Sequence, residues 1–347
     1  MHSAVIQVND APPNPENDRA VSSDHAGVES SSLEDVTVVT VRKSFWASPE
    51  AEVFPHRVYA RVFYGHSTNL LNSLVAAGRG LITIALRRPR VVVLGSVERT
   101  VPWFIQARRL GLLRRARLIV VNQLHLSEEQ LRYVDRVIVY QRSWIERQPP
   151  AARAKAVFTY DPADGNFVEV REAVTEVGDY VFTGGGTGRD IPSIIEALRG
   201  TDVPLEIVTF SPETLGWRGE LPPNCSVHWR MPVRSFLERM ARAKVVVVPL
   251  RDPDSDFGQM MVAQALALGK PVVATRSPGI ADYVVNGQEG LLVDAGEVAG
   301  YRDAILRLLQ DDELRHACER HALARAEDLT YRVFANKLVS LCEELLA

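Results

Sequence analysis

Short runs of β-branched and aliphatic residues recur along this chain, each pair separated by enough sequence for one helix, and they do so in two successive series. The first series reads as strands at Val36–Val41, Val91–Gly95, Leu118–Val121 and Arg136–Tyr140. Helical stretches lie between them, from Ser67 to about Gly78, Trp103–Leu112 and Ser127–Val134. The second series has strands at Tyr180–Thr183, Leu205–Phe210, Ser226–Trp229, Lys244–Leu250 and Val272–Thr275, with helices at Ile191–Leu198, Ser235–Ala243 and Gln259–Leu268. Strands such as VVVLG and VVVVPL are apolar on both faces, which suits a parallel sheet covered by helices on either side. Alternation of strand and helix gives βαβ units. The expected fold class is therefore α/β, with two Rossmann-like doubly wound domains facing across a cleft. A length of 347 residues suits two such units.

Residues 1–32 hold Pro, Asn, Asp and Ser without periodicity and are expected to be disordered. They lack the basic start and apolar stretch of a signal peptide. The first domain is expected over 33–165, the second over 166–330, and a C-terminal helix over 331–347 that can pack back on the first domain. Tyr160–Gly178, with Asp161, Pro162, Asp164 and Gly165 near its start, loses the strand pattern and reads as a linker. No apolar run is long enough to span a membrane. A formal net charge of −3 gives no general pull toward nucleic acid, so no nucleic-acid partner is expected. Arginines cluster between Arg87 and Arg117. That cluster reads as a solvated helix face beside short strands, in preference to a patch for anionic lipid or an acidic acceptor. Cys225, Cys318 and Cys342 lack CxxC spacing, so neither a disulfide framework nor a zinc site is expected. A reducing cytoplasm fits them best, with peripheral contact at the inner membrane face left open.

In open parallel sheets ligands bind beyond the carboxyl ends of strands, so the informative loops follow strands and enter helices. One such loop is GGGTGRD, Gly184–Asp190. Gly184, Gly185 and Gly186 let backbone approach a ligand closely, Asp190 can cap the next helix, and Pro192 suits its first turn. Such a helix start attracts anions, and Arg189 can form paired hydrogen bonds to a diphosphate. The spacing matches neither a P-loop nor a dinucleotide fingerprint, and a tight turn with an exposed arginine is the plainer alternative. The second loop, RDPDSDFGQ (Arg251–Gln259), leads into MMVAQALAL. Asp256 would stand at the helix entrance, and Gln264, eight residues later, about 80° round from it. Asp252, Asp254 and Asp256 also imitate a DxD metal motif, but no further ligands stand nearby in sequence and no metal is expected. His66, Ser67 and Asn69 precede the first predicted helix. They are acceptor-side candidates, although Ser67 is also a plain N-cap.

The stretch KVVVVPLRDPDSDFGQMMVAQALALGKPVVATRSPGIADYVVNGQEGLLVD resembles the donor segment of the retaining GT-B glycosyltransferases of family 4 (glycosyl transferases group 1). FTGGGTGRDIPSIIEAL resembles that family's first loop in the C-terminal domain, and VHWRMPVRSFLERMARA its base-binding turn and following helix. A weaker likeness runs over Arg117–Glu146, and the strongest part covers 180–294.

The resemblance implies a shortened N-terminal acceptor domain, a C-terminal donor domain, and transfer of a hexose-like sugar from a nucleoside diphosphate to an acceptor hydroxyl with retention. It places Asp256 and Gln264 at the two glutamate positions of an E-x7-E motif. Both are departures, and Gln264 can bond a ribose hydroxyl only as a neutral group. It implies further that Gly258, Gln259 and Met260 offer backbone N–H groups to the donor, that Arg189 holds the leaving diphosphate, that Met231 lies near the base, and that His125 stands near the transferred sugar. His66 and Asn69 remain weaker acceptor-side positions. The partners implied are a nucleotide-sugar donor and an acceptor glycan, lipid-linked sugar or small-molecule hydroxyl, with no cofactor beyond the donor. A homo-oligomer or a partner protein is left open. Two rival readings fit the same residues: another nucleotide-sugar enzyme on this fold, such as an epimerase or donor hydrolase, and a non-catalytic nucleotide-sugar-binding subunit.

Overall fold

The computed structural model describes residues 33–40, 49–59, 70–95, 100–122, 126–163, 166–254 and 257–347. The first sheet is built from β1 (Val36–Thr40), β2 (Arg57–Tyr59), β3 (Val91–Gly95), β4 (Arg117–Val121), β5 (Arg136–Val139) and β6 (Ala156–Phe158). They lie in the order β2-β1-β3-β4-β5-β6, and every pairing is parallel. β1 and β3 are buried along their whole length, because valines on both faces must be covered. Helices α1 (Leu70–Arg87) and α2 (Val101–Arg109) cover one face, where Ala77, Ile84 and Phe104 meet Val39 and Val92. At Gly80 a Cβ would stand 2.6 Å from the Phe104 ring, so α1 lies close on its neighbours only because that residue lacks a side chain. A single turn, α3 (Glu128–Leu131), fills half of the helix expected over 127–134, held by a reciprocal capping box between Ser127 and Gln130. Past β5 come α4 (Arg142–Arg147) and α5 (Pro150–Arg153).

The second sheet holds β7 (Val181–Gly184), β8 (Leu205–Thr209), β9 (Cys225–Trp229), β10 (Val245–Val248), β11 (Val272–Thr275) and β12 (Gly290–Val293). Their order is β12-β11-β10-β7-β8-β9. The chain thus starts in the middle, winds outward to β9, returns to β10 beside β7 and winds the other way. Between β7 and β10 the winding reverses, and a crevice opens there. Helices α7 (Ile191–Leu198) and α12 (Val298–Gln310) cover one face. The other is covered by α6 (Asn166–Ala173), α9 (Val233–Arg242), α10 (Gln259–Ala267) and α13 (Asp312–Ala326). Helix α6 corrects the linker expected over Tyr160–Gly178: Phe167 and Val170 are buried in the core of the second domain. Smaller elements are α8 (Pro212–Leu215) and α11 (Pro278–Ala281).

The last helix, α14 (Tyr331–Leu346), lies on the first sheet, where Phe334, Leu338 and Cys342 meet Val36, Val91 and Ile119. The chain therefore crosses between domains twice, and the crossings touch: Ala163 N–H donates to Leu329 O at 2.7 Å. Beside them the Tyr283 hydroxyl donates to Tyr140 O (3.1 Å) and accepts from Asp161 N–H (2.7 Å). The Asp282 carboxylate accepts from Arg142 N–H at 2.7 Å. Leu338 is fully buried, so Leu338→Ala is expected to lower the stability of the first domain by about 2–5 kcal/mol. Urea unfolding followed by fluorescence should show one transition displaced toward lower urea.

Candidate functional site

The reversal point brings together the two loops singled out in the sequence. Gly184 closes β7; a Cβ there would stand 2.8 Å from Val208 O and 2.9 Å from the Phe236 ring. Gly185 and Gly188 take φ values of 92° and 67°, a region that residues with a Cβ enter at a steric penalty. These turns bring the loop alongside the chain leaving β10. Asp190 N–H donates to Pro249 O (3.2 Å) and Arg251 N–H to Gly188 O (3.0 Å), and Arg189 pairs with Leu250 in an antiparallel bridge. Leu250 N–H in turn donates to Thr275 Oγ1 at 2.5 Å.

Arg189 is the chemical centre of this lacing. Its side chain is folded inward and only 8% of the residue is exposed, where a tight turn alone would have left it in solvent. Its Nε donates to Gly184 O at 3.1 Å and one terminal nitrogen to Thr187 O at 3.5 Å. Among the described residues no carboxylate pairs with it. Burial pulls its pKa down to about 10, the direction expected when a cation loses water without gaining an anion. The guanidinium stays charged at neutral pH, and a buried charge is costly unless it is paired and hydrogen-bonded.

Helix α10 begins beside it. Gly258 caps the helix at φ 102°, with its α-carbon facing Ile280, whose Cδ1 would be 3.1 Å from a Cβ. The first N–H groups of any helix lack intrahelical acceptors and carry the positive end of the dipole, so Gln259 and Met260 present N–H groups at this end. Met260 is exposed, while Gln264, one turn further on and on the same face, is half-buried. The Gln259 side chain has a different part. It is buried, and its Nε2 donates to Gln141 Oε1 at 3.2 Å, across the domain boundary. A Cβ on Gly279 would stand 2.5 Å from Gln259 Nε2 and 2.8 Å from Gln141 Oε1, so a residue without a side chain makes room for this contact.

Met231 follows β9 in a turn held by Arg230, which has φ 50° and donates through Nε to Phe210 O at 3.1 Å. Met231 is half-buried against the core of the second domain. Two aromatic residues were not among the sequence candidates. Phe210 lies against Gly186, where a Cβ would be 2.7 Å from its ring, and Phe257 against Gly188, at 3.0 Å. Both are exposed. Their signal in the sequence was position alone: Phe210 closes the strand expected over Leu205–Phe210, which ends at Thr209 in the structure, and Phe257 precedes the capping glycine.

Asp190 corrects an expectation. Its carboxylate accepts from Ser193 Oγ at 2.5 Å and caps no backbone N–H of α7, because its ψ of 60° departs from the extended conformation an N-cap needs. In the acidic run, Asp252 Oδ1 accepts from Asp254 N–H at 3.0 Å. Among the described residues no three His, Cys, Asp or Glu side chains gather as a metal site. The candidates His66, Asn69, His125 and Asp256 lie outside the described residues.

Residues 189–311 match the model of the family described as Glycosyl transferases group 1. Curated relatives include a D-inositol 3-phosphate glycosyltransferase of Corynebacterium jeikeium, 38% identical over 103 residues, which are 30% of this chain and 24% of that protein. Another is an N-acetyl-alpha-D-glucosaminyl L-malate synthase of Bacillus anthracis, 33% identical over 90 residues, 26% of this chain and 22% of that protein. The chain thus spans about a quarter of the length of the curated relatives it matches. Among solved structures, a glycosyltransferase from Rickettsia africae superposes with a TM-score of 0.64 at 11% identity, covering 90% of this chain and 98% of that one. Anabaena HepE in complex with UDP-glucose does so at 0.60 and 15% identity, covering 90% and 95%. These establish the GT-B arrangement of two Rossmann-like domains.

Gly258→Ala is expected to cost about 1–3 kcal/mol of stability through backbone strain, measured as a lower urea midpoint of the second domain. An unchanged midpoint would mean that the cap relaxes freely.

Proposed function

We propose, from the premise that residues 189–311 form a group 1 glycosyltransferase domain of the family 4 kind, that this protein transfers a hexose-like sugar from a nucleoside diphosphate to an acceptor hydroxyl, with retention at the anomeric carbon. The observation that carries the reading is Arg189: a buried cation among carbonyl oxygens, with no carboxylate beside it among the described residues, at the reversal point of the second sheet. A donor diphosphate supplies the missing anion. When the bond from the anomeric carbon to the diphosphate oxygen breaks, the leaving group takes the electron pair and its charge grows. In this reading the guanidinium and the N-terminus of α10 stabilise that charge. The acceptor oxygen forms the new bond and gives up its proton to the departing diphosphate oxygen. In this reading half-buried Gln264 bonds a ribose hydroxyl and Met231 lies near the base, with exposed Phe210 as a further apolar contact.

Because the counter-charge comes from Arg189 and helix α10, catalysis is proposed to proceed without a metal. Activity should survive EDTA within a factor of about two, and a larger loss restored by a divalent cation would refute that part. Arg189→Gln is expected to lower kcat by about 10²–10³, followed by chromatography of nucleoside diphosphate release and mass analysis of the sugar product with a panel of donors and acceptors. Release of free or epimerised sugar with no acceptor product would overturn transfer. Nucleotide binding with no turnover would favour the binding-subunit reading. Gln264→Glu gives the ribose hydroxyl a charged acceptor, and charged hydrogen bonds are roughly twice as strong as neutral ones. The expected outcome is a lower donor KM with kcat little changed.

A further inference from the structure

The end of the first domain remote from the cleft has a surface that the transfer reaction does not use. Helix α1 is apolar on two sides. Ala77 and Ile84 face the core, while Leu74, Gly78, Ile82 and Leu86 follow one another at four-residue spacing on the outside. Leu86 is 80% exposed, and a Cβ at Gly78 would meet nothing within 4 Å. The turn after α2 adds Leu110 and Leu112, 74% and 73% exposed. The C-terminal end of α1 and this turn line one open groove of about 490 Å³, whose walls include Ala85, Arg88, Leu112, Arg114 and Arg115.

The charge around these leucines is mainly positive, with Glu34 beside His56 and the exposed Asp35 before β1 as acidic groups at this end. Between Arg79 and Arg117 the only acidic residue in the sequence is Glu98. Several nearby carboxylates are already engaged: Asp135 with Arg108 and Arg117, Glu129 with Arg109, Glu344 with Arg136, and Glu34 with His56. Arg88, Arg114 and Arg115 have no carboxylate partner among the described residues. Arg87 and Arg109 are exposed on α1 and α2, as expected of a solvated helix face, whereas Arg88, Arg114 and Arg115 sit in turns beside the apolar outer face of α1.

We propose that this surface docks peripherally on an anionic phospholipid bilayer, the leucines entering the interface and the arginines meeting lipid phosphates. Exposed apolar side chains fringed by basic ones suit that boundary, where burial of apolar area and attraction to anionic headgroups act together. A protein groove of mixed charge would leave unpaired arginines facing like or neutral groups. β3 and β4 begin at this end, and the contacts with the second domain gather beyond the opposite end of β5. A bilayer docked here leaves the cleft open toward water.

The test is co-sedimentation of the full chain with phosphatidylcholine vesicles, with and without phosphatidylglycerol. Binding is expected to be at least about tenfold stronger with the anionic lipid and to weaken with salt. The combined variant Arg88→Gln, Arg114→Gln, Arg115→Gln should abolish the anionic preference. Leu86→Ser with Leu112→Ser should weaken binding at low salt, and both variants should keep the wild-type melting temperature because the altered side chains are exposed. No sedimentation with either vesicle, or binding unchanged in both variants, would overturn the proposal. So would a dimer, seen by sedimentation velocity, that the leucine variant dissolves, since the surface would then belong to a second copy of the chain.

Discussion

A guanidinium held out of water needs a negative partner, and the arrangement around Arg189 follows from that requirement. Burial depresses its pKa to about 10, and the carbonyls of Gly184 and Thr187 offer it dipoles in place of a charge. The side chain can turn inward because Gly185 and Gly188 take left-handed backbone angles and because the bridge to Leu250 fixes the residue that carries it. Those features depend on β7 and β10 being neighbours. The reversal of strand order thus brings this cation alongside the chain that leads from β10 toward α10, and in the proposed reading both serve the same anion.

Helix α10 is tied to the first domain through Gln259. Gln259 opens α10 with its backbone and grips Gln141 with its side chain. Gln141 directly precedes Arg142, whose backbone N–H bonds Asp282, and follows Tyr140, whose carbonyl accepts from Tyr283. Three consecutive residues of the first domain therefore meet the segment around α11 of the second. These contacts couple α10 to the first domain, and closure of two domains around a ligand is a common way to exclude water from transfer chemistry.

The sheet cores were legible because parallel strands buried on both faces must be written in valine, leucine and isoleucine, and runs such as Val91–Leu94 and Val245–Val248 admit few other readings. Helix α6 was not legible. Its sequence NFVEVREA is short and half polar, and Pro162 and Gly165 just before it signal a break, so only the tertiary contacts of Phe167 and Val170 reveal it. β2 and β6 have three residues each, too few for a period. At the site, glycines and Arg189 were legible as a loop with donors, but the inward turn of the arginine was not, since it depends on a strand far away in sequence. Gln141 carried no signal at all. Its partner lies 118 residues on, and a lone glutamine after a strand looks like surface.

The central claim is that Arg189 serves the diphosphate and not the rest of the donor. The most direct test is calorimetric titration of the wild-type protein and Arg189→Gln with a nucleoside diphosphate and with the matching nucleoside. The wild type should bind the diphosphate far more tightly than the nucleoside, and the variant should lose most of that difference while its nucleoside affinity stays the same. An equal preference for the diphosphate in both proteins would contradict the account.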